Sequence, residues 1–231
     1  TSRGLGDVYK RQYQYNILND AIPGIEKSHA IENIRLAAEK LRGKDVKPDE
    51  FYGMVFQDSD VAKWIEAAAY ALAAGEDPEL EKAVDETIQL YGASQHEDGY
   101  VDSYFTVKCP DKMWTNICDA HELYCAGHMM EAAVAYYEVT GKRELLDIMS
   151  KSADCIYEQF MKKNTRAYPG HPEVELALMR LWRATGNEKY KELAKHFVDV
   201  RGQAPNYFVE EKKNRGWNVW DGTEELNTDY T

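Results

Sequence analysis

The feature that most constrains the fold is a helical hairpin that recurs along the chain. Short turns separate apolar segments, at Ala74-Gly75, Thr140-Gly141 and Thr185-Gly186. The segments 136–146 (YYEVTGKRELL) and 181–190 (LWRATGNEKY) resemble each other most closely. Glycine supplies the left-handed residue that ends a helix, so each turn is predicted to end one helix and to start the next at once.

Each predicted helix carries an apolar face that needs a neighbour. Apolar residues recur with the spacing of one helix face after Asp58, after Gly141 and after Gly186. They are Val61, Trp64, Ile65, Ala68 and Leu72 in the first segment, Leu145, Met149, Ile156 and Phe160 in the second, and Tyr190, Leu193, Ala194, Phe197 and Val198 in the third. A further helix is predicted from Ser28 to Leu41.

These patterns predict an all-α protein with about seven helices. Hairpins of this size either stack into an open solenoid or close into an (α/α)6 barrel, and their period does not separate the two. A six-hairpin barrel needs nearly twice as many helices. The barrel interpretation therefore makes this chain a partial (α/α)6 barrel.

The chain divides into three parts. Residues 1–12 lack an apolar period and are predicted to be a disordered or non-native lead. Residues 13–210 hold the hairpins and form the incomplete barrel. Within them, the Asp-Gly turn and alternating aromatic residues of 95–105 predict a long loop with a small β-ribbon. Residues 211–231 are charged and turn-rich, and they are predicted to be a loop that leads to a missing C-terminal part.

Charge and cysteine content narrow the function. The formal net charge of -12 repels nucleic-acid phosphates and anionic membranes, so neither is expected as a partner. No apolar run approaches the roughly 20 residues that cross a bilayer. The four cysteines form no CxxC pair and are interpreted as reduced thiols, which predicts a cytoplasmic protein.

The densest group of chemically active side chains lies at 119–128. His121, Cys125 and His128 are spaced i, i+4 and i+7, so one helix face can present all three. Three interpretations stay open. The residues are zinc ligands, or Cys125 packs while a histidine satisfies the helix start, or His128 binds sugar, since a neutral imidazole both donates and accepts hydrogen bonds.

A second candidate is the rigid turn at 168–173 (YPGHPE). Prolines on both sides of Gly170 and His171 restrict the backbone and hold the imidazole at the start of a helix. Spacing alone leaves a functional histidine and an exposed helix-start histidine equally open.

Four sequence blocks together resemble the β-L-arabinofuranosidases of glycoside hydrolase family 127. They are 51–64 (FYGMVFQDSDVAKW), 98–105 (DGYVDSYF), 121–128 (HELYCAGH) and 168–171 (YPGH), in the order and with separations similar to those of the family. The resemblance covers roughly residues 13–210. It implies an (α/α)6 barrel that removes terminal β-L-arabinofuranose from plant-derived arabino-oligosaccharides or glycopeptides, with retention of configuration.

The resemblance also implies which chemistry this chain carries. In the family a cysteine thiolate is the nucleophile, and a zinc ion held by a glutamate and three cysteines tunes it. None of the four cysteines here lies in a matching block, so no catalytic residue and no zinc ligand is assigned to this chain, and zinc is expected in the complete enzyme. By resemblance, His128 and His171 match histidines that contact arabinose hydroxyls. Gln57 and Asp58 are predicted for the same pocket, whose partner is an arabinose-containing oligosaccharide.

The residues alone do not complete a catalytic site. Glycoside hydrolysis needs two carboxyl groups, or another nucleophile in place of one, and no spacing singles out such a pair. The candidates are Asp58, Asp60, Asp98, Asp102, Glu122 and Glu173. The main hypothesis is therefore part of an arabinofuranosidase that is inactive alone. The alternatives are a non-catalytic helical-repeat module and another enzyme of the hairpin-barrel class, such as an unsaturated glucuronyl hydrolase or a lyase.

Overall fold

The computed structural model describes residues 12, 14 and 16–219, and these residues form ten α-helices. The predicted lead at 1–12 lies outside the described residues except for Gln12, which is helical, and so does the end of the predicted loop, 220–231. The helices are α1 (Ile22–Lys27), α2 (Ala30–Leu41), α3 (Asp58–Ala74), α4 (Pro78–Ala93), α5 (Ser103–Lys108), α6 (Glu122–Thr140), α7 (Glu144–Tyr157), α8 (Val174–Thr185), α9 (Glu188–Val200) and α10 (Tyr207–Arg215). The described part contains no strand, so the all-α prediction is confirmed.

The helices form two layers. Helices α3, α6 and α8 pack side by side in an inner layer, and α2, α4, α7 and α9 lie behind them. Three hairpins run from the inner to the outer layer: α3 with α4, α6 with α7, and α8 with α9. Helix α6 lies in the middle and most of its residues are buried, many of them alanines that let its neighbours approach closely.

Two of the three hairpin turns follow the predicted geometry. Gly141 and Gly186 adopt the left-handed conformation, both with φ of 73°. Their backbone amides donate hydrogen bonds to the carbonyl oxygens of Tyr137 and Trp182 in the preceding helices. Gly75 differs, because its φ of 172° is ordinary extended backbone. The first turn therefore does not need glycine for its dihedral angles.

The β-ribbon predicted at 95–105 is wrong. The turn itself forms, with the Asp98 carboxylate accepting a hydrogen bond from the amide of Tyr100 at 3.0 Å. The aromatic residues that follow enter helix α5, because Asp102 caps that helix by accepting from the amide of Phe105 at 3.0 Å. Residues Ser103 to Val107 are all buried, several of them against α2, so the alternating side chains do not form one buried and one solvent-exposed face as in a β-ribbon.

The loop predicted for 211–231 is also wrong for its first residues, because α10 extends to Arg215. Asn206 caps this helix by accepting from the amide of Phe208 at 2.9 Å. Only Phe208 and Glu211 of α10 are buried. The helix therefore has no apolar period, and it is held largely by polar contacts.

The inner layer positions the candidate site. Helices α3, α6 and α8 run parallel, so the loops that precede them meet at one end of the layer. One stripe of each inner helix is not covered by the outer layer, and we call these stripes the inner face. It consists of Lys63, Glu66 and Tyr70 on α3, Tyr124, His128 and Glu131 on α6, and Leu176 and Arg180 on α8. None of the helices among the described residues has the length and apolar character that a membrane crossing requires.

Candidate functional site

Three histidines and a tyrosine lie together where the inner helices begin. Tyr124 is at the centre of this histidine group, with ring centroids 4.4 Å from His128, 5.1 Å from His171 and 5.4 Å from His121. The rings of His121 and His171 lie 5.6 Å apart. The structure thus brings together the two histidines that the sequence singled out in separate motifs.

Two glycines allow the close packing that assembles this group. A Cβ atom on Gly170 would lie 1.9 Å from the carbonyl oxygen of Cys118, so only glycine lets the turn before α8 reach the loop before α6. A Cβ atom on Gly127 would lie 3.0 Å from the side chain of Glu173 and from the backbone of Val174. Gly170 therefore places His171, and Gly127 brings α6 against the start of α8.

His128 faces a carboxyl group from the neighbouring helix. Its Nδ1 lies 3.4 Å from Oε1 of Glu173, an oxygen that is buried and accepts no hydrogen bond. Burial lowers the pKa of His128 to about 4, so this imidazole is neutral at physiological pH. Burial, together with the carboxylates of Glu131, Glu66 and Glu175, raises the pKa of Glu173 to about 7.

Charged residues of the inner face surround the histidine group. Nζ of Lys63 donates a 3.1 Å hydrogen bond to the hydroxyl of Tyr124 and lies 5.1 Å from the centroid of its ring. Farther along the inner face, Arg180 contacts Glu66 at 3.0 Å and Glu131 at 3.2 Å. The positive charge of the arginine balances these two partly buried carboxylates. Among the described residues, the one basic group within salt-bridge distance of Glu173 is His128.

Gln57 and Asp58 lie beside the site, and their polar atoms bond to the protein. The amide of Gln57 donates to the carbonyl oxygen of Ser28 at 2.6 Å and accepts from the amide of Met54 at 2.7 Å. Asp58 accepts from both the amide and the hydroxyl of Ser103, the first at 2.8 Å. Both residues are buried, and both hold the 51–57 loop or α5 in place at the start of α3.

A buried carboxyl group lies beneath the histidine group. Glu122 accepts from the hydroxyl of Tyr100 at 2.6 Å and from the amide of Trp114 at 3.0 and 3.1 Å. Burial raises the pKa of Glu122 to about 8 despite these bonds. Burial likewise raises the pKa of Asp58 and of Asp102, and the nearby charge of Asp58 raises the pKa of Asp102 further. These carboxyl groups are buried and bond to neighbouring segments of the protein, so they hold together the segments that position the site.

The described residues do not fit a zinc site. His121, Cys125 and His128 share one helix, but Cys125 is buried and His121 bonds through Nδ1 to the carbonyl oxygen of Asp119. No three histidine, cysteine, aspartate or glutamate side chains of the described part converge closely enough to hold a metal ion. Burial raises the pKa of all four thiols, to about 11 for Cys109 and about 12 for Cys155, whereas a thiolate nucleophile needs a lowered pKa.

Sequence reasoning named His128 and His171 but missed Tyr124, Lys63 and Glu173 as their neighbours. Tyr124 precedes His128 by four residues, so helical spacing carried a signal for it. Lys63 and Glu173 reach the group only because α3 and α8 pack against α6. No local spacing in the sequence reveals that packing.

Known proteins resemble both the sequence and the structure. The family model described as the β-L-arabinofuranosidase GH127 catalytic domain matches residues 9–228. A non-reducing end β-L-arabinofuranosidase of Bifidobacterium longum subsp. longum is 40% identical over 221 residues, which are 87% of this chain and 32% of the relative. The chain thus spans about a third of the length of this curated relative.

Solved structures agree with this relationship. A GH127 β-L-arabinofuranosidase from Geobacillus stearothermophilus T6 superimposes with a TM-score of 0.82 at 47% identity, over 96% of this chain and 35% of that protein. A second GH127 β-arabinofuranosidase gives a TM-score of 0.74 at 34% identity, over 84% of this chain and 32% of its own. The three hairpins are thus part of a helical barrel, and the chain belongs to the GH127 β-L-arabinofuranosidase family.

Proposed function

We propose that this chain forms the sugar-binding wall of a β-L-arabinofuranosidase, meaning the inner-face surface around His128 and His171. The observation that carries the proposal is the histidine group, in which Tyr124 lies between His128 and His171 at the end where all three inner helices begin. The relative from Bifidobacterium longum is named for cleavage of non-reducing-end β-L-arabinofuranosides. An arabinose-containing oligosaccharide is therefore the proposed partner.

The chemistry of the wall suits a neutral sugar. A neutral imidazole offers one donor and one acceptor, which matches the hydroxyl groups of a furanose. The low pKa of His128 keeps it neutral at physiological pH, so it does not demand an anionic ligand. The net charge of -12 also disfavours the anionic sugars of glucuronyl hydrolases and lyases.

Gln57 and Asp58 have a different place in the proposal. Their polar atoms already bond to Ser28, Met54 and Ser103, so we propose that they fix the rim of the wall by holding the 51–57 loop and α5. Direct sugar binding by these two residues stays a prediction.

The bond-breaking groups are proposed to lie outside the described residues. Retaining hydrolysis needs a nucleophile and an acid/base group, and the four described thiols, three of them buried and Cys109 partly buried, all have raised pKa values. In the complete enzyme, zinc bound by residues outside this wall would lower the pKa of a cysteine and make it a nucleophile. His128 and His171 would bind and orient the sugar for that attack.

The binding proposal is tested by titrating the chain with methyl β-L-arabinofuranoside while the histidine ring resonances are followed by NMR. We expect the His128 and His171 resonances to shift with one saturation curve, and the resonances of His196 on outer helix α9 to stay constant as an internal control. His171→Ala should weaken binding about tenfold or more, the cost of about one good hydrogen bond to sugar. Unchanged resonances at both histidines would refute the proposal.

A further inference from the structure

We propose that Glu173 is a positioning residue for His128 and that its protonation state decides which ring nitrogen of His128 carries the proton. Through that choice, Glu173 determines whether Nε2 of His128 accepts a hydrogen bond from a sugar hydroxyl or donates one. The inference rests on the proposed function in one respect: it takes His128 to be a sugar-binding residue.

The geometry points to a dedicated pair. Nδ1 of His128 lies 3.4 Å from Oε1 of Glu173, and the two side chains are 18% and 17% exposed. That oxygen is buried and accepts no hydrogen bond, which is costly unless a donor comes within reach. A small rotation of either side chain would align Nδ1–H with it. Gly127 makes the approach possible, because a side chain there would displace Glu173.

The surrounding charges leave Glu173 poised between its two forms. Glu66 on α3 and Glu131 on α6 repel a carboxylate at this position, and Glu175 on α8 adds to that repulsion. Lys63 opposes them weakly, and Arg180 is bound to Glu66 and Glu131. Burial and these groups together hold the pKa of Glu173 at about 7. The pKa of His128 is about 4, so its imidazole is neutral at any pH well above 4.

The two forms of Glu173 favour opposite tautomers of His128. An ionised Glu173 accepts from Nδ1–H, so the unprotonated Nε2 on the opposite edge of the ring is an acceptor. A protonated Glu173 donates its own proton to the lone pair of Nδ1, so the ring proton is on Nε2, which becomes a donor. Only N–H and O–H bonds change: the ring loses the proton on Nδ1 and gains one on Nε2, and the carboxylate gains one. One proton is taken up from solvent when Glu173 is neutralised.

The test reads the tautomer of His128 directly, by long-range nitrogen–proton NMR of the 231-residue chain without sugar. Between about pH 8.5 and about pH 5.5, where the imidazole remains neutral, we expect the tautomer to change from Nδ1–H to predominantly Nε2–H. Half of the change should be complete at about pH 7. In Glu173→Gln the ratio of tautomers should not depend on pH.

Glu175→Gln is the matched control, because it removes one negative charge two residues away, in the first turn of α8. Glu175 pairs with Arg201 at 2.9 Å and does not face His128, so this variant should keep the tautomer change. Its midpoint should fall to lower pH, since a carboxylate that repels Glu173 is gone. A constant tautomer in the wild type, or an undiminished change in Glu173→Gln, would overturn the proposal.

The same samples distinguish this inference from the proposed function. The tautomer is measured without ligand, and methyl β-L-arabinofuranoside is added afterwards. A tautomer change with no sugar binding would support the role of Glu173 and count against the sugar-binding wall. Sugar binding with a tautomer that ignores Glu173 would support the wall and refute the role of Glu173.

Discussion

Gly170 occupies a place in which no larger residue fits. Its Cβ position lies 1.9 Å from the carbonyl oxygen of Cys118, and backbone cannot yield as a flexible side chain can. We therefore expect Gly170→Ala to lower the free energy of unfolding by about 3 kcal/mol, the upper range for overpacking, and to displace His171. Chemical denaturation measures the first effect and the ring resonances of His171 the second.

Gly24 provides the matched control. It lies in α1 without a positive φ, and a Cβ atom there would meet no described atom within 4 Å other than its chain neighbours and the backbone of its own helix. Gly24→Ala should leave His171 unchanged and stabilise the chain by about 0.5 kcal/mol, because alanine is the better helix former. Equal stability of the two variants would contradict the packing argument.

Glu122 makes stability depend on pH. Its pKa rises from the ordinary 4.5 to about 8 through burial, so folding takes up a proton over this range. The contribution of Glu122 is fully present below about pH 4.5 and is lost as the pH rises through about 8. The free energy of unfolding of the wild type, relative to Glu122→Gln, should therefore fall between about pH 5 and about pH 9. If the difference in unfolding free energy between the two proteins did not change across that pH range, the assignment would be refuted.

The sequence singled out the two histidines that the structure brings together, but not the residues that surround them. His128 and His171 stand in motifs that the sequence displays, and the structure places both against Tyr124. Glu173 was considered only as one of six candidate catalytic carboxyl groups, since its pairing with His128 depends on the glycine contact between α6 and α8. The raised pKa of Glu173 comes first from its burial and then from carboxylates on three helices, and sequence spacing reveals neither.

At the scale of elements, α10 anchors the loop that leads to His121. The carboxylate of Glu211 accepts from the amides of Ile117 at 2.8 Å and Cys118 at 3.1 Å, and Arg215 pairs with Asp119 at 2.9 Å. Glu211→Ala would leave two buried amides without acceptors. We expect a loss of about 3 kcal/mol in the free energy of unfolding and faster amide hydrogen exchange at Ile117 and Cys118.

A neighbouring carboxylate controls for the change in charge. Glu210 is on the same helix, and its side chain is 44% exposed in a loose 3.6 Å pair with Arg166. Glu210→Ala should cost less than about 1 kcal/mol and leave exchange at Ile117 unchanged. If both variants behaved alike, α10 would not be the anchor of the 116–121 loop.

Long helices were predictable and short ones were not. The predicted number of about seven helices matches the seven longer helices, α2 to α4 and α6 to α9. Several of them, such as α3, α7 and α9, have the apolar period of one helix face. Helices α1, α5 and α10 have six to nine residues and no such period. They form because capping residues such as Asp102 and Asn206 and contacts with other segments fix them. Those contacts are long-range, so the helical residues 103–105 and 211–215 were assigned wrongly.

At the scale of the whole molecule, the hairpins form a two-layer part of a helical barrel. The inner layer presents histidines, a lysine and carboxyl groups at one end, while the buried cysteines lie outside this inner face. The chain spans about a third of the length of its relatives. These facts fit a wall that binds and orients the sugar while other residues break the bond.

The most direct test of this account is the rate at which the purified 231-residue chain, with zinc supplied, releases the aryl group from an aryl β-L-arabinofuranoside. We predict no release above the spontaneous rate, while the same substrate still shifts the ring resonances of His128 and His171. Turnover at a rate ordinary for enzymes, about 1 per second or faster, would show that this chain itself holds the reaction machinery and would contradict the account.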